Sequence, residues 1–288
     1  MSYLLDYIKQ LKNVEAEADI YGPVLDWQLK QLNQGVQANC VAQLNQDLGF
    51  LPGSPYLLQP AHIPTTAIGS LRGLVVISAN PAYDAELNRL EHDARVAGDN
   101  AAFCRYIFRT YPALLRRTIR YWTQVMGVWR LAFLPMQPHL ENGHARWIRA
   151  HNEDWAIGGV DLIPFHSSKD GVTPRLGPNG HEQLREVALE TLRMVCRLPA
   201  EVRDGDHMRG RLVLVASNLG NQLVNRLAAN KEVVKIPWAN ATYGMTAYRG
   251  ANDNLIISVP YQIFSRQPGG YTHAAFAAPL RDADDNLR

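Results

Sequence analysis

Leu74-Val75-Val76-Ile77-Ser78-Ala79-Asn80-Pro81-Ala82-Tyr83-Asp84 runs from a continuous apolar segment straight into a polar turn. A short unbroken apolar run with β-branched Val75, Val76 and Ile77 reads as a strand buried on both faces, and Pro81 sets the turn that ends it. Strands of that kind belong to parallel sheets flanked by helices. In open α/β sheets, ligands gather outside the carboxyl ends of the strands, which makes Asn80 and Asp84 candidates for chemistry. The plain structural alternatives are an Asn-Pro turn with no further role and an Asp84 that caps the next helix.

Working outward, three more apolar runs follow at intervals. They are Gly159-Val160-Asp161-Leu162-Ile163-Pro164, Leu212-Val213-Leu214-Val215-Ala216, and Leu255-Ile256-Ile257-Ser258-Val259-Pro260. Each leads into a polar exit: His166 and Ser167 after the first, Ser217-Asn218 after the second, and Tyr261 to Tyr271 after the third. Lys235-Ile236-Pro237-Trp238 reads as a short edge strand. Helical spacing marks residues 181–197, where Leu184, Val187, Leu192 and Val195 share a face. Residues 2–48 read as two helices broken at Tyr21-Gly22-Pro23, and 49–70 as a Pro- and Gly-rich surface loop. Residues 85–156 read as a helical insertion, with Phe103, Ile107, Tyr111, Leu114 and Trp122 on an apolar stripe. The tail 281–288 reads as frayed.

Strands alternating with helices predict an α/β fold. The expected form is an α/β/α sandwich around a mostly parallel four-stranded sheet. Residues 1–288 then form one domain: helices and loop over 1–70, a core over 71–280 that includes the insertion, and the tail.

Composition narrows the function. With 29 basic and 27 acidic residues the net charge is +2, so global charge announces no nucleic-acid binder. Its distribution is more telling. No acidic residue falls between Asp99 and Glu141, a window that holds Arg105, Arg109, Arg116, Arg117, Arg120 and Arg130. Such a stripe fits a phosphate-binding surface as well as a solvated helix face. The three cysteines, Cys40, Cys104 and Cys196, are too few and scattered for a disulfide framework, a zinc site or an iron–sulfur cluster. The start of the chain lacks a signal-peptide pattern and no run reaches membrane-spanning length, so the expectation is a soluble, cytoplasmic protein without metal or cofactor. His166-Ser167 near an Asp invites a serine-hydrolase reading, but no Gly-x-Ser-x-Gly elbow accompanies it. No His-Glu-x-x-His or Walker A pattern occurs either.

The order of the strand exits resembles the uracil-DNA glycosylase superfamily. The Ala79-Asn80-Pro81-Ala82-Tyr83 turn matches that family's first motif, whose Asn or Asp positions the attacking water. On this resemblance Asn80 is the water-positioning residue, Asp84 an auxiliary base, and Tyr83 a base-pocket residue. The segment Val160-Asp161-Leu162-Ile163-Pro164-Phe165 is similar to the family's base-reading strand, with Asp161 where an Asn is usual. If the register slips, His166 takes that place. The last exit departs from the family, since Tyr261 stands where a histidine is expected to stabilise charge on the leaving base. Gln262, Ser265 and Arg266 then fall in the DNA-gripping loop, with Ser217, Asn218, Arg116 and Arg117 as further phosphate contacts.

The resemblance implies a monofunctional DNA glycosylase that flips a nucleotide from the duplex and leaves an abasic site. An ionised Asp161 offers acceptors only, which suits the N4 amino group of cytosine better than uracil. Ordinary cytosine is a dangerous target in a cell's own DNA. The implied substrate is therefore a modified cytosine in foreign DNA, as for the antiphage glycosylases that remove glucosylated hydroxymethylcytosine. The alternatives are a uracil or mismatch glycosylase in base-excision repair, a non-catalytic nucleic-acid-binding relative, and an N-glycosidase acting on small nucleosides.

Overall fold

The computed structural model describes residues 2–61, 68–79, 85–110, 157–169, 171–172, 175–176, 181–199, 211–215, 218–228, 230–238, 241–258 and 273–287. The apolar run that opens the sequence argument is β2 (Leu74–Ser78), and its first four residues are buried. It lies between β3 (Ile157–Asp161) and β4 (Leu212–Val215), parallel to both. β4 pairs in parallel with β7 (Leu255–Ser258). These four parallel strands form the centre of the sheet.

The sheet is larger than the expected four strands. Among the described residues it has seven strands in the order β1-β3-β2-β4-β7-β6-β5, with three antiparallel pairs at the flanks. β1 (Ile68–Gly69) borders β3. On the other side, β5 (Asn230–Trp238) and β6 (Ala241–Arg249) form a hairpin that docks on β7. The expected short strand at Lys235–Trp238 is the second half of β5. Pro237 and Gly244 mask this hairpin in the sequence, since both weaken a strand signal, and Pro is tolerated there because β5 is the edge. β3 begins two residues earlier than the apolar pattern suggests and ends at Asp161.

Register explains the burial on both faces. Val75, Ile77, Val160, Val213, Val215 and Ile256 join one core cluster with Leu4, Tyr7 and Leu11 of α1 (Ser2–Lys12). Leu184, Val187 and Leu192 of α7 (Glu182–Arg197) complete that cluster. The alternating residues Leu74, Val76, Leu212, Leu214, Leu255 and Ile257 face the other way and are equally buried. Both sides of the central strands are therefore covered, as an all-parallel centre requires.

The amino-terminal helices break elsewhere than Tyr21-Gly22-Pro23. The chain stays helical through that triplet: α2 (Glu17–Asp19) passes through a π-turn at Ile20–Val24 into α3 (Leu25–Asn33). Pro23 lies inside this continuous helix, where it has no N–H to donate, and it coincides with the π-turn, the local widening that replaces the regular α ladder there. The interruptions fall before α2 and at Gly35, whose φ of +71° suits glycine at the entry to α4 (Val36–Asp47). Before α2, the Asp19 carboxylate accepts from the Glu15 and Ala16 amides at 2.9 and 2.8 Å, which holds its pKa below the ordinary value.

The 49–70 segment is not merely superficial, because Leu58 and Ala61 are buried and Gln59 pairs with His166. Nor does the tail fray: α9 (His273–Leu287) packs on β5 and β6 and buries Leu280 and Ala283. Of the expected helical insertion, α5 (Ala85–Ala97) and α6 (Asn100–Thr110) lie in the described residues. Residues 111–156, with Arg116 and Arg117, lie outside them. No helix among the described residues is long and apolar enough to cross a membrane.

A buried polar latch pins the amino-terminal edge of the sheet. Arg211, wholly buried just before β4, donates to Leu71 O, to Val195 O (2.6 Å), to Leu198 O (3.0 Å) and to Pro199 O (2.8 Å). A guanidinium suits this place because its planar fork satisfies several carbonyls at once, including those left open at the carboxyl end of α7. Asn254 accepts from the Arg211 amide and donates to Cys196 O, drawing in the segment before β7.

Candidate active site at the strand exits

The strand order directs attention to the opposite edge, the carboxyl ends of the central strands. The chain leaves β2 for β3 on one side, returns across to β4 on the other, and runs on to the β5–β6 hairpin at the far edge before coming back to β7. Connections therefore diverge from the carboxyl ends of β2 and β4, which is the arrangement that opens a ligand crevice in α/β sheets.

Asp161 is the last residue of β3 and sits opposite Ser78. The two exits stay joined beyond the strands, since Leu162 N donates to Ser78 O (3.1 Å) and Ile163 N to Ala79 O (2.9 Å). The chain from Asp161 to Ile163 thus runs beside the two residues that precede Asn80.

Its surroundings alter its chemistry. Asp161 keeps partial access to solvent yet is closely enclosed, and burial pushes its carboxyl up to about 7. His166 opposes the rise and Glu91 adds to it. Near neutral pH the group is therefore divided between an acceptor-only carboxylate and an acid that both donates and accepts.

His166 lies five residues further on, 1% exposed. Its backbone pairs with Gln59 in both directions, at 2.8 and 3.0 Å. Its Nε2 lies 3.1 Å from Oε2 of Glu91, which is fully buried. His166 is therefore a member of a buried pair behind Asp161, packed away from solvent. Ser167 is also buried, and its hydroxyl donates to Lys169 O.

Glu91 is the residue that sequence reasoning missed. It stands on α5, the helix that follows the Asn80 turn, so it ties that helix to the β3 exit. Its sequence signal was weak: Leu87, Glu91 and Ala94 recur at spacings of four and three, a pattern that marks an apolar face only once the helix is known to face inward.

Asn80, Tyr83, Asp84, Ser217, Tyr261, Gln262, Ser265 and Arg266 lie outside the described residues. Asn218 opens α8 (Asn218–Val224), which is seven residues long. Among the described residues no cluster of His, Cys, Asp and Glu could hold a metal ion. The three cysteines are buried and none of them is in a disulfide, and burial pushes the Cys40 and Cys196 thiols up to about 11, far from the thiolate a nucleophile needs. Comparison with family models and with curated proteins finds no match for this chain.

Proposed function

We propose that the protein is a monofunctional DNA glycosylase working at the β2–β3–β4 exits, within an α/β/α sandwich. The observation that carries this reading is Asp161, held at the carboxyl end of β3 directly beside the strand that leads into Asn80-Pro81. A partly accessible carboxyl at such an edge can read the hydrogen-bonding face of an extruded base. Asn80, in the adjoining turn, orients the water that attacks the sugar. The transition state has oxocarbenium character, so orientation and electrostatics carry most of the catalysis. Tyr83 lines the base pocket, Asp84 serves as an auxiliary base, and Tyr261 assists the departing base. Ser217, Asn218, Gln262, Ser265, Arg266, Arg116 and Arg117 hold phosphates. The protein acts in the cytoplasm on foreign DNA carrying a modified cytosine, of the glucosylated hydroxymethyl type, and needs no cofactor.

The raised pKa of Asp161 supports a second reading. A protonated carboxyl donates to the O4 of uracil while accepting from its N3–H, whereas a carboxylate repels O4. The same acid form also pairs with N3 and N4 of cytosine. Uracil excision is thus the alternative below neutrality, and cytosine selectivity sharpens as Asp161 ionises.

The test is incubation with duplexes carrying uracil, cytosine, hydroxymethylcytosine or glucosylated hydroxymethylcytosine, followed by alkaline cleavage. The expected strand break falls at the modified cytosine. Breaks confined to uracil at every pH would sink the cytosine assignment, and no breaks at all would leave a binding module.

A further inference from the structure

The loop that follows α4 stands on the same edge as Asp161. At one end, Asp47 Oδ2 lies 3.6 Å from Nε2 of His181, the residue that caps the start of α7. The far end of α7 meets the Arg211 latch at the amino edge, so its start lies toward the carboxyl edge. At the other end, Gln59 bridges His166, five residues beyond Asp161.

Between these stems the chain is held in place. The Asn45 side chain donates to Leu58 O (2.9 Å) and accepts from Leu58 N (2.8 Å), while its carbonyl accepts from Phe50 N (2.8 Å). Lys169 N donates to Pro55 O (2.9 Å). Two turns built on Pro52 and Pro55 follow each other, closed by Ser54 N to Leu51 O and by Leu57 N to Ser54 O. Gly53, at φ +79°, supplies the left-handed residue of the first. The Tyr56 ring lies so close to Gly171 that a Cβ there would meet it at 2.7 Å.

This pinned loop presents apolar side chains to solvent, with Leu51 74% exposed and Tyr56 39%. Lys169, beside Pro55, and Arg175, whose guanidinium sits 4.5 Å from the centre of the Phe50 ring, are exposed as well. Negative charge is scarce. No acidic residue occurs between Asp47 and Asp84, Asp47 itself accepts from Gln43 (2.7 Å), and Asp170 is the one acid between Asp161 and Glu182. Apolar tips set beside cations suit a polyanion that also has apolar faces. The cations neutralise phosphates, and the apolar and aromatic groups pack on sugars and bases. Because the loop is fixed before contact, binding loses little to ordering it.

We infer that the 50–57 loop, with Lys169 and Arg175, is a DNA contact that grips the strand flanking the nucleotide presented at Asp161. The inference rests on the reading of that edge as a DNA site. Five residues of chain span at most about 18 Å, so the contact begins within about five nucleotides of the target.

The experiment uses the full chain and a fluorescein-labelled 30-base-pair duplex carrying glucosylated hydroxymethylcytosine at its centre. Binding is measured by anisotropy across salt concentrations, and base release is followed in parallel. Lys169→Gln and Arg175→Gln should each weaken binding about fivefold and flatten the log–log salt slope by about one. Leu51→Ser should weaken it about fivefold with the slope unchanged. Leu51 stands mostly in solvent, so Leu51→Ser should melt with the wild type, and any variant that does so carries the result. Wild-type affinity and salt slope in the normally melting variants would overturn the contact, as would a wild-type chain that binds no duplex. Self-association lost in Leu51→Ser, with DNA binding untouched, would overturn it too and make the loop a contact between copies of this chain. Loop-dependent binding without base release would uphold the contact and refute the glycosylase reading. Base release with binding indifferent to the loop would do the reverse.

Discussion

Asp161 concentrates the pH dependence of the molecule. Its carboxyl titrates near 7 in the folded chain against roughly 3.9 in an unfolded one, so between those values the folded state binds the extra proton. Stability contributed by this residue is therefore full below about pH 4 and lost as pH rises toward 7. Asp161→Asn removes the charge and with it the cost of burying it. The variant should gain on the order of 2 kcal/mol above pH 7, with the gain vanishing below about pH 4, in urea titrations run across pH. Because an amide donates as well as accepts, like the protonated acid, the same substitution should raise release of uracil at every pH and lower the preference for the cytosine derivative above pH 7, where the acceptor-only carboxylate is lost. A gain in stability coupled to a loss of activity is the signature of a residue kept for function. Equal losses on every base would contradict the base-reading role.

The Glu91–His166 pair belongs to the same scale. Glu91→Ala strands a buried imidazole and should cost about 3 kcal/mol, while Glu91→Gln keeps a hydrogen bond and should cost about 1 kcal/mol. Thermal unfolding of the two variants checks the ranking. The charge on Asp161 responds to both partners, so the activity profile of Glu91→Gln should also move along the pH axis. Asp161 itself was legible in the sequence because a charge inside an apolar strand is conspicuous. Glu91 was not, because a single glutamate on a helix is ordinary until the helix is known to face inward.

Elements were legible in proportion to their burial. β2, β4, β7 and α7 follow continuous apolar runs or a clean helical stripe, and they lie where the pattern puts them. The β5–β6 hairpin was half hidden, because Lys231, Glu232, Pro237 and Gly244 interrupt its apolar pattern. The π-turn through Tyr21-Gly22-Pro23 was invisible for the opposite reason: local punctuation predicts a break, and tertiary packing of Ile20, Tyr21 and Val24 overrides it. Among the polar links between elements, Arg211 has the largest predicted effect. Arg211→Met leaves four backbone carbonyls without this donor and should cost about 4 kcal/mol, and Arg211→Lys should recover little of it. Chemical denaturation measures both. A loss under ~1 kcal/mol for Arg211→Met would show that water replaces the guanidinium.

Across the whole molecule the two edges of the sheet have opposite characters. The amino edge is closed by Arg211, Asn254 and the segment through Leu71. The carboxyl edge carries Asp161 and the paired exits of β2 and β3. The opening segment located that edge through the rule that strands deliver ligands to their carboxyl ends, and the strand order supplied the divergence on which the rule depends. The identity of the base is a matter of side chains around the crevice, for which a strand pattern holds no record.

The most direct measurement is single-turnover mass spectrometry of base release, with the full chain in excess over duplexes carrying each candidate base. A glycosylase at this edge should liberate the intact modified cytosine and leave a strand lighter by that base, with release lost in Asn80→Ala while duplex binding persists. Unchanged strand masses for every DNA, at any pH from 6 to 8, would contradict it.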